Sequence, residues 1–370
     1  MNNFKSKNLF SIGVEEEYMI CDPTSYELID KANEIINSLN VNEKDFFSYE
    51  LLLSEIEANT PICKDSNIAI HEVVKMRNKL KTIGEKLNYK IGISGTHPTS
   101  KPKDQTFVDN QAYNWVSNQL KYYAKQNMTF STHIHIGLDD PDAAIYILNQ
   151  ARAWISPLLS LTVNSPFFSG ENTGMKSSRI FQFGIFPRTN VLHTINNVEE
   201  YLEIVENLKL SKSIEKERHL WWKIRPHFEY GTIEFRICDI QRSLKRTHMI
   251  IILTQAIVRQ IYTDYKNNKP LYSYNIEFIN DSIWKASRYG LDCKIVCPIT
   301  EKPISMKKMV DSMLQYIHPS LLYFGTDFVI EIIKDIINTK TEADLQIDIF
   351  NRFGFNELKL EKVWAATRKE

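Results

Sequence analysis

An excess of charge of one sign is missing from this 370-residue chain, in which 45 lysines and arginines balance 45 aspartates and glutamates. No overall field draws it toward nucleic acid or an anionic membrane, so small molecules are the expected partners. Long apolar runs are missing too. The most apolar internal stretch, residues 249–261, is interrupted by Thr254, Gln255, Arg259 and Gln260 before it reaches membrane-spanning length. The opening MNNFKSKNLFSIG carries two lysines but lacks the apolar core and small-residue cleavage site of a secretory signal, so export is not expected. Cysteine is scarce. Cys21, Cys63, Cys238, Cys293 and Cys297 form an odd, scattered set, unlike a secreted disulfide framework, and point to a reducing cytoplasm. Cys293 and Cys297 have no second pair to complete a metal site and read as unrelated thiols. No glycine-rich loop follows any strand-like run, which removes the main support for Rossmann and P-loop folds. Any nucleotide would have its phosphates held by metals and side chains instead.

What the chain does have is apolar material for a large core: 43% hydrophobic residues, with 11% aromatics. No linker, repeat or low-complexity tract divides it, so a single catalytic domain over residues 1–370 is expected. Strand-like runs at 9–21, 89–95, 129–138 and 231–238 are interspersed with helix-like segments at 67–87, 141–161 and 247–265. From about Ser305 the pattern is mainly helical, with apolar residues three and four apart in MKKMVDSML and FVIEIIKDII. The expected class is a mixed α and β protein.

Three of the strand-like runs carry a polar face of unusual chemistry. Strand alternation puts Glu15 and Glu17 of GVEEEY on one side, and His133 and His135 of THIHIG opposite two isoleucines. In TIEFRI it puts Glu234 and Arg236 opposite Ile233, Phe235 and Ile237. A solvated sheet face usually carries threonine and lysine, so carboxylate, imidazole and guanidinium together suggest the floor of a site. Hard divalent ions prefer carboxylate oxygen and bridge to phosphates, and arginine suits the remaining phosphate oxygens. A further acidic run, ELLLSEIEANTP, has Glu55 and Glu57 in strand register. Glu50 is an odd number of positions away, and a bend or bulge is expected to bring it alongside Glu57.

These segments resemble the carboxylate-amine ligase family, the type 2 glutamate-cysteine ligases, along nearly the whole chain. SIGVEEEYMICDP, LLLSEIEANTPICKD, GISGTHP and STHIHIGLDD resemble its first four motifs in order. NSPFFSGENTGMKSSR, WWKIRPHFEYGTIEFRICDIQ and WKASRYGLD resemble the later ones. The resemblance implies an α+β fold: a curved, largely antiparallel sheet of the glutamine synthetase catalytic-domain type, backed by helices. It also implies an ATP-dependent ligase that activates a carboxylate as an acyl phosphate and joins it to an amine, with glutamate and cysteine as the implied pair and other amines as alternatives.

By position in those motifs, Glu15, Glu17, Glu57, His133 and Glu234 are the implied metal ligands, with His135 as their neighbour. Glu50, His133, Arg236 and Arg179 are the implied nucleotide contacts. Arg236, Glu57 and Arg225 are the implied catalytic residues. Arg225 can grip a carboxylate or phosphate through two hydrogen bonds, and Arg179 and Arg288 are similar candidates. Mg2+, or alternatively Mn2+, would accompany ATP in a cytoplasmic enzyme with no nucleic-acid or membrane partner, and a homodimer would fit. The competing readings are a zinc hydrolase built on His133-x-His135 and a non-catalytic binding protein.

Overall fold

The computed structural model describes Phe4 and residues 8–362. Seven strands form its main sheet: β1 (Ile12–Cys21), β2 (Phe47–Tyr49), β3 (Glu55–Asn59), β4 (Lys90–Gly92), β5 (Ser131–Gly137), β6 (Ile224–His227) and β7 (Thr232–Asp239). Every pairing in it is antiparallel, in the order β2-β3-β1-β5-β7-β6, with β4 beside β1. Strand β1 is flanked by β3 on one side; on the other, β5 pairs its first half and β4 its second. The expected α+β class with a largely antiparallel sheet is the one observed.

One face of the sheet is apolar because the alternation makes it so. Ile12, Val14, Ile134, Ile136, Ile233 and Phe235 point backward and are fully buried, each worth roughly 1.5–3 kcal/mol of transfer free energy. They meet α1 (Ser66–Leu87), α2 (Pro141–Ala151), α3 (Ile155–Thr162) and α4 (Leu244–Lys266) in one continuous cluster. Asp65 caps α1 by accepting the Ile68 N–H at 2.9 Å, and Asn88 ends it in the left-handed region. Asp140 and Pro141 start α2 in the same economical way, side-chain cap followed by a residue with no N–H to satisfy.

The single helix expected over 141–161 is broken by a 3-10 turn at Arg152–Trp154. Pro157 explains the position: it lacks an N–H, and its ring excludes the carbonyl four residues earlier, that of Ala153. The apolar 249–261 stretch is the buried middle of α4, and among the described residues no helix is long and apolar enough to cross a membrane. From Met306 onward the chain forms the helices Met306–Phe324, Val329–Asn338 and Glu342–Lys362, whose Met309, Met313, Ile317 and Ile333 join the same cluster. A second, smaller cluster surrounds the far end of β1, where Tyr18, Ile20, Ile56, Leu80 and Ile91 meet.

Candidate active site

The other face of the sheet is built by register. Residues directly opposite in an antiparallel ladder carry their side chains on the same side. Glu57 stands opposite both Ser48 and Glu17, Glu15 opposite His133, and Glu234 opposite both His135 and Arg225. The result is a polar band that crosses six strands and floors a cavity of about 500 Å³.

The contacts within the band are short. Glu15 meets His133 Nδ1 at 3.1 Å through one oxygen and His135 Nε2 at 3.2 Å through the other. His133 Nε2 lies 2.7 Å from Ser131 Oγ, and Ser131 donates its N–H and hydroxyl to Glu17 at 2.6 and 2.7 Å. Glu57 accepts from Ser48 Oγ at 2.8 Å and Asn59 Nδ2 at 2.9 Å. Glu234, fully buried, accepts from Arg225 Nε at 2.5 Å on one oxygen and from Arg236 on the other. Arg236 Nε is buried without a partner among the described residues, which leaves a guanidinium edge for an anion.

The electrostatics divide this band in two. Burial opposes the Glu15 anion, yet the His135 charge and hydrogen bonds from both imidazoles hold its carboxyl well below the usual range. Glu234 is likewise held far down: burial works against it, and Arg225 and then Arg236 outweigh burial. His135 moves up, because Glu234 and Glu15 overcome the penalty of burying its cation. At the other end burial and mutual repulsion push carboxyls up: Glu50 against Glu57 and Glu17, Glu55 against Glu17, and Glu57 against Glu15. A bound cation would relieve that crowding. Three groups of ligand atoms lie close enough to share one: Glu15, Glu57 and His133; Glu15, His135 and Glu234; and Glu17, Glu50 and Glu57. Their oxygen-rich chemistry fits a hard divalent metal.

Most of the residues singled out in the sequence come together here. Glu15, Glu17, Glu50, Glu57, His133, His135, Arg179, Arg225 and Arg236 line the cavity, with Glu234 beneath Arg225 and Arg236. Glu50 arrives by a hairpin rather than by a bend or bulge in one strand: it follows β2, whose Ser48 faces Glu57. Arg288 is not brought in. It lines a separate cleft with Lys176 and Asp292 and donates to the Gly174 carbonyl. Arg179 reaches the cavity wall, but its Nε and Nη2 are bound to Asp239 and to main-chain carbonyls.

The cavity also holds residues that the motif reading passed over. His227 sits two positions after Arg225 on β6, a spacing that could have flagged it, and its ring stacks on Tyr230 at 4.1 Å. Burial and the neighbouring His135 bring His227 down to about 4. Glu55 lines the cavity with one buried oxygen unpartnered among the described residues. Tyr113 comes from the helix Gln111–Leu120 and Arg218 from the 3-10 turn Glu217–His219, neither on a strand whose alternation would mark it.

A cavity with surplus carboxylate at one end and guanidinium at the other suits highly charged ligands, and fold and site together define an enzyme that works on phosphate-bearing small molecules. Comparison with known proteins gives the family. Residues 11–358 match glutamate-cysteine ligase family 2, and the chain belongs to that family. It is an ATP-dependent ligase of the glutamate-cysteine ligase type, which sets aside the zinc-hydrolase and binding-protein readings.

A Chloroflexus aurantiacus protein named provisionally as glutamate--cysteine ligase 2 is 31% identical over 341 residues, covering 92% of this chain and 87% of its own. A Solibacter usitatus protein with the same provisional name is 30% identical over 345 residues, covering 93% and 90%. Among solved structures, glutamate--cysteine ligase from Francisella tularensis in complex with AMP is similar with a TM-score of 0.76 at 12% identity, covering 97% of this chain and 88% of that one. A bifunctional glutathione synthetase from Pasteurella multocida has a TM-score of 0.70 at 16% identity, covering 95% and 51%. At these identities the two structures speak for the fold.

Proposed function

We propose that the cavity joins the carboxylate of glutamate to the amine of cysteine at the expense of ATP. The observation that carries this reading is the single face on which the carboxylates, both imidazoles and the unpartnered Nε of Arg236 converge. A carboxylate does not condense with an amine in water, because its anion resists attack and its oxygen is a poor leaving group. ATP removes both obstacles. A donor carboxylate oxygen attacks the γ-phosphorus, the bond to ADP breaks, and an acyl phosphate forms; the amine then attacks the acyl carbon, phosphate departs, and the amine gives up its proton.

Two anions must meet in the first step, so most of the catalysis is charge neutralisation and alignment. Mg2+ or Mn2+ held by Glu15, Glu17, Glu57, His133 and Glu234 would supply positive charge for the phosphates. Arg236, with its unpartnered Nε, is placed to hold the transferred group. Arg225 fixes Glu234 from the side opposite Arg236, and Glu50 adds a carboxylate at the crowded end. The five free cysteines fit a cytoplasmic enzyme, and a homodimer would be compatible with this reading.

The test is ADP release by purified protein with Mg2+, ATP, glutamate and a panel of amines including cysteine, with mass spectrometry of the products. ADP that depends on both glutamate and cysteine, together with the matching amide, supports the reading. ADP that depends on another amine replaces the acceptor, and no ADP from any pair overturns the proposal.

A further inference from the structure

Strand β7 changes register part-way along. Its first half pairs with β5 as Gly137 with Thr232, His135 with Glu234 and Ile134 with Phe235; its second half pairs Thr132 with Cys238 and Ser131 with Asp239. One extra residue is therefore inserted at Arg236–Ile237, opposite His133. Such a bulge bends its strand, leaves peptide groups without ladder partners and re-aims the side chain that it carries. Here that side chain is Arg236.

The bulge is held from outside the sheet. Arg179 Nη2 donates to the Ile237 carbonyl at 2.5 Å and to the Arg236 carbonyl at 3.3 Å. Arg179 Nε donates to Asp239 Oδ1 at 2.7 Å. Asp239 is saturated in turn by the hydroxyls of Ser177 and Ser165 at 2.9 and 2.7 Å and by the Asn164 N–H at 2.8 Å. Arg179, Asp239, Ser165 and Ser177 are all buried. Packing around the carboxylate leaves no slack: a Cβ added at Gly95 would stand 2.8 Å from Asp239 Cγ. Three protein groups thus occupy the guanidinium along the edge that faces the bulge, as expected of a fixed strut.

We propose that Arg179 is a positioning residue: with Asp239 it pins the bulge at Arg236–Ile237 and so sets where the Arg236 guanidinium stands in the cavity. The inference rests on the reading of Arg236 as the contact to the transferred phosphoryl group. A strut of this kind acts only through Arg236, so its effect disappears once Arg236 is replaced and the affinity for glutamate is spared, whereas an arginine that itself touches nucleotide or glutamate keeps an effect of its own.

The experiment is a double-mutant cycle on the full-length enzyme, measuring kcat, the KM for ATP and for glutamate, and thermal unfolding. Arg179→Lys keeps the charge but loses the fork that joins Asp239 to the two carbonyls. It should lower kcat on the order of 10- to 100-fold, as a misplacement of about 1 Å does, with the KM for glutamate within about twofold of wild type. In the Arg179→Lys, Arg236→Lys double variant the further loss should nearly vanish, because the group being positioned has gone. Asp239→Asn, which keeps the shape, should repeat the pattern and serves if Arg179→Lys fails to fold. Multiplicative losses, a raised KM for glutamate, or wild-type kinetics in both Arg179→Lys and Asp239→Asn would overturn the proposal. An Arg236→Lys variant with unchanged kcat would instead remove the reading of Arg236, and a wild-type enzyme that makes no ADP would remove the ligase proposal beneath both.

Discussion

Glu15, Glu16 and Glu17 are consecutive on one strand and chemically identical, yet they belong to opposite sides of the molecule. Glu15 and Glu17 face the cavity among imidazoles and other carboxylates. Glu16 points backward, buried, into a forked pair with Arg77 of α1: Nε to Oε2 at 2.9 Å and Nη2 to Oε1 at 2.7 Å. Tyr18 also donates to it. Arg77 is tied further to the carbonyls of Gln241 and Arg242 just before α4, so this pair staples α1 to the segment that leads into α4. The back of the sheet uses its charge to hold the fold, and in the proposed reaction the front uses it on ligands. Strand alternation alone decides which glutamate does which.

Substitutions that keep shape and remove charge separate the two faces. On the front, Glu15→Gln, at a part-exposed carboxylate, should lower metal-dependent turnover by at least about 10²-fold, with a smaller loss of thermal stability than Glu16→Gln; full turnover with normal metal dependence would break the assignment. On the back, Glu16→Gln strands the buried Arg77 cation, and a broken buried pair costs about 3–5 kcal/mol. Urea unfolding should show that loss, with turnover per folded molecule retained; a stable Glu16→Gln protein with lost activity would erase the distinction. Arg236→Lys keeps charge but loses the forked geometry, and should cost roughly 10- to 100-fold in kcat, the worth of one charged hydrogen bond of about 1.5–3 kcal/mol.

The smallest effect expected is at Glu27, a carboxylate remote from both settings. Burial opposes its ionisation, but hydrogen bonds from Lys359, Ser100 and Thr99 outweigh burial and lower it from 4.5 to about 2. A lowered folded-state value contributes stability above the unfolded value, and that contribution is lost as pH falls from about 4.5 through about 2. Wild type should therefore melt a few degrees above Glu27→Gln at neutral pH, and the gap should close on acidification. A gap that does not change with pH would contradict this.

How much of this was legible follows from which interactions are local. Alternation along 12–21, 131–137 and 232–239 is a two-residue property, so the pairing of Glu15 with Glu17, His133 with His135, and Glu234 with Arg236 could be read from the chain. The hairpin that carries Glu50 back over Glu57 depends on cross-strand register, which spacing along one strand does not report. The bulge after Arg236 depends on Arg179, some sixty residues away and at the start of a helix, Arg179–Phe183, too short to show a period in the sequence. Arg288 looked like a site residue because guanidinium chemistry suits phosphate, but the helix Ile276–Tyr289 that carries it faces another cleft. Edge strand β6, only four residues long, was too short to stand out, and with it went His227.

The central claim is that the front face activates a carboxylate through an acyl phosphate. It is tested most directly with glutamate carrying 18O in its carboxylates, together with ATP, Mg2+ and the amine that supports turnover. The account predicts that each phosphate released carries one 18O taken from the donor. Phosphate released at the normal rate without label would contradict it, because the carboxylate oxygen would then never have bonded to phosphorus.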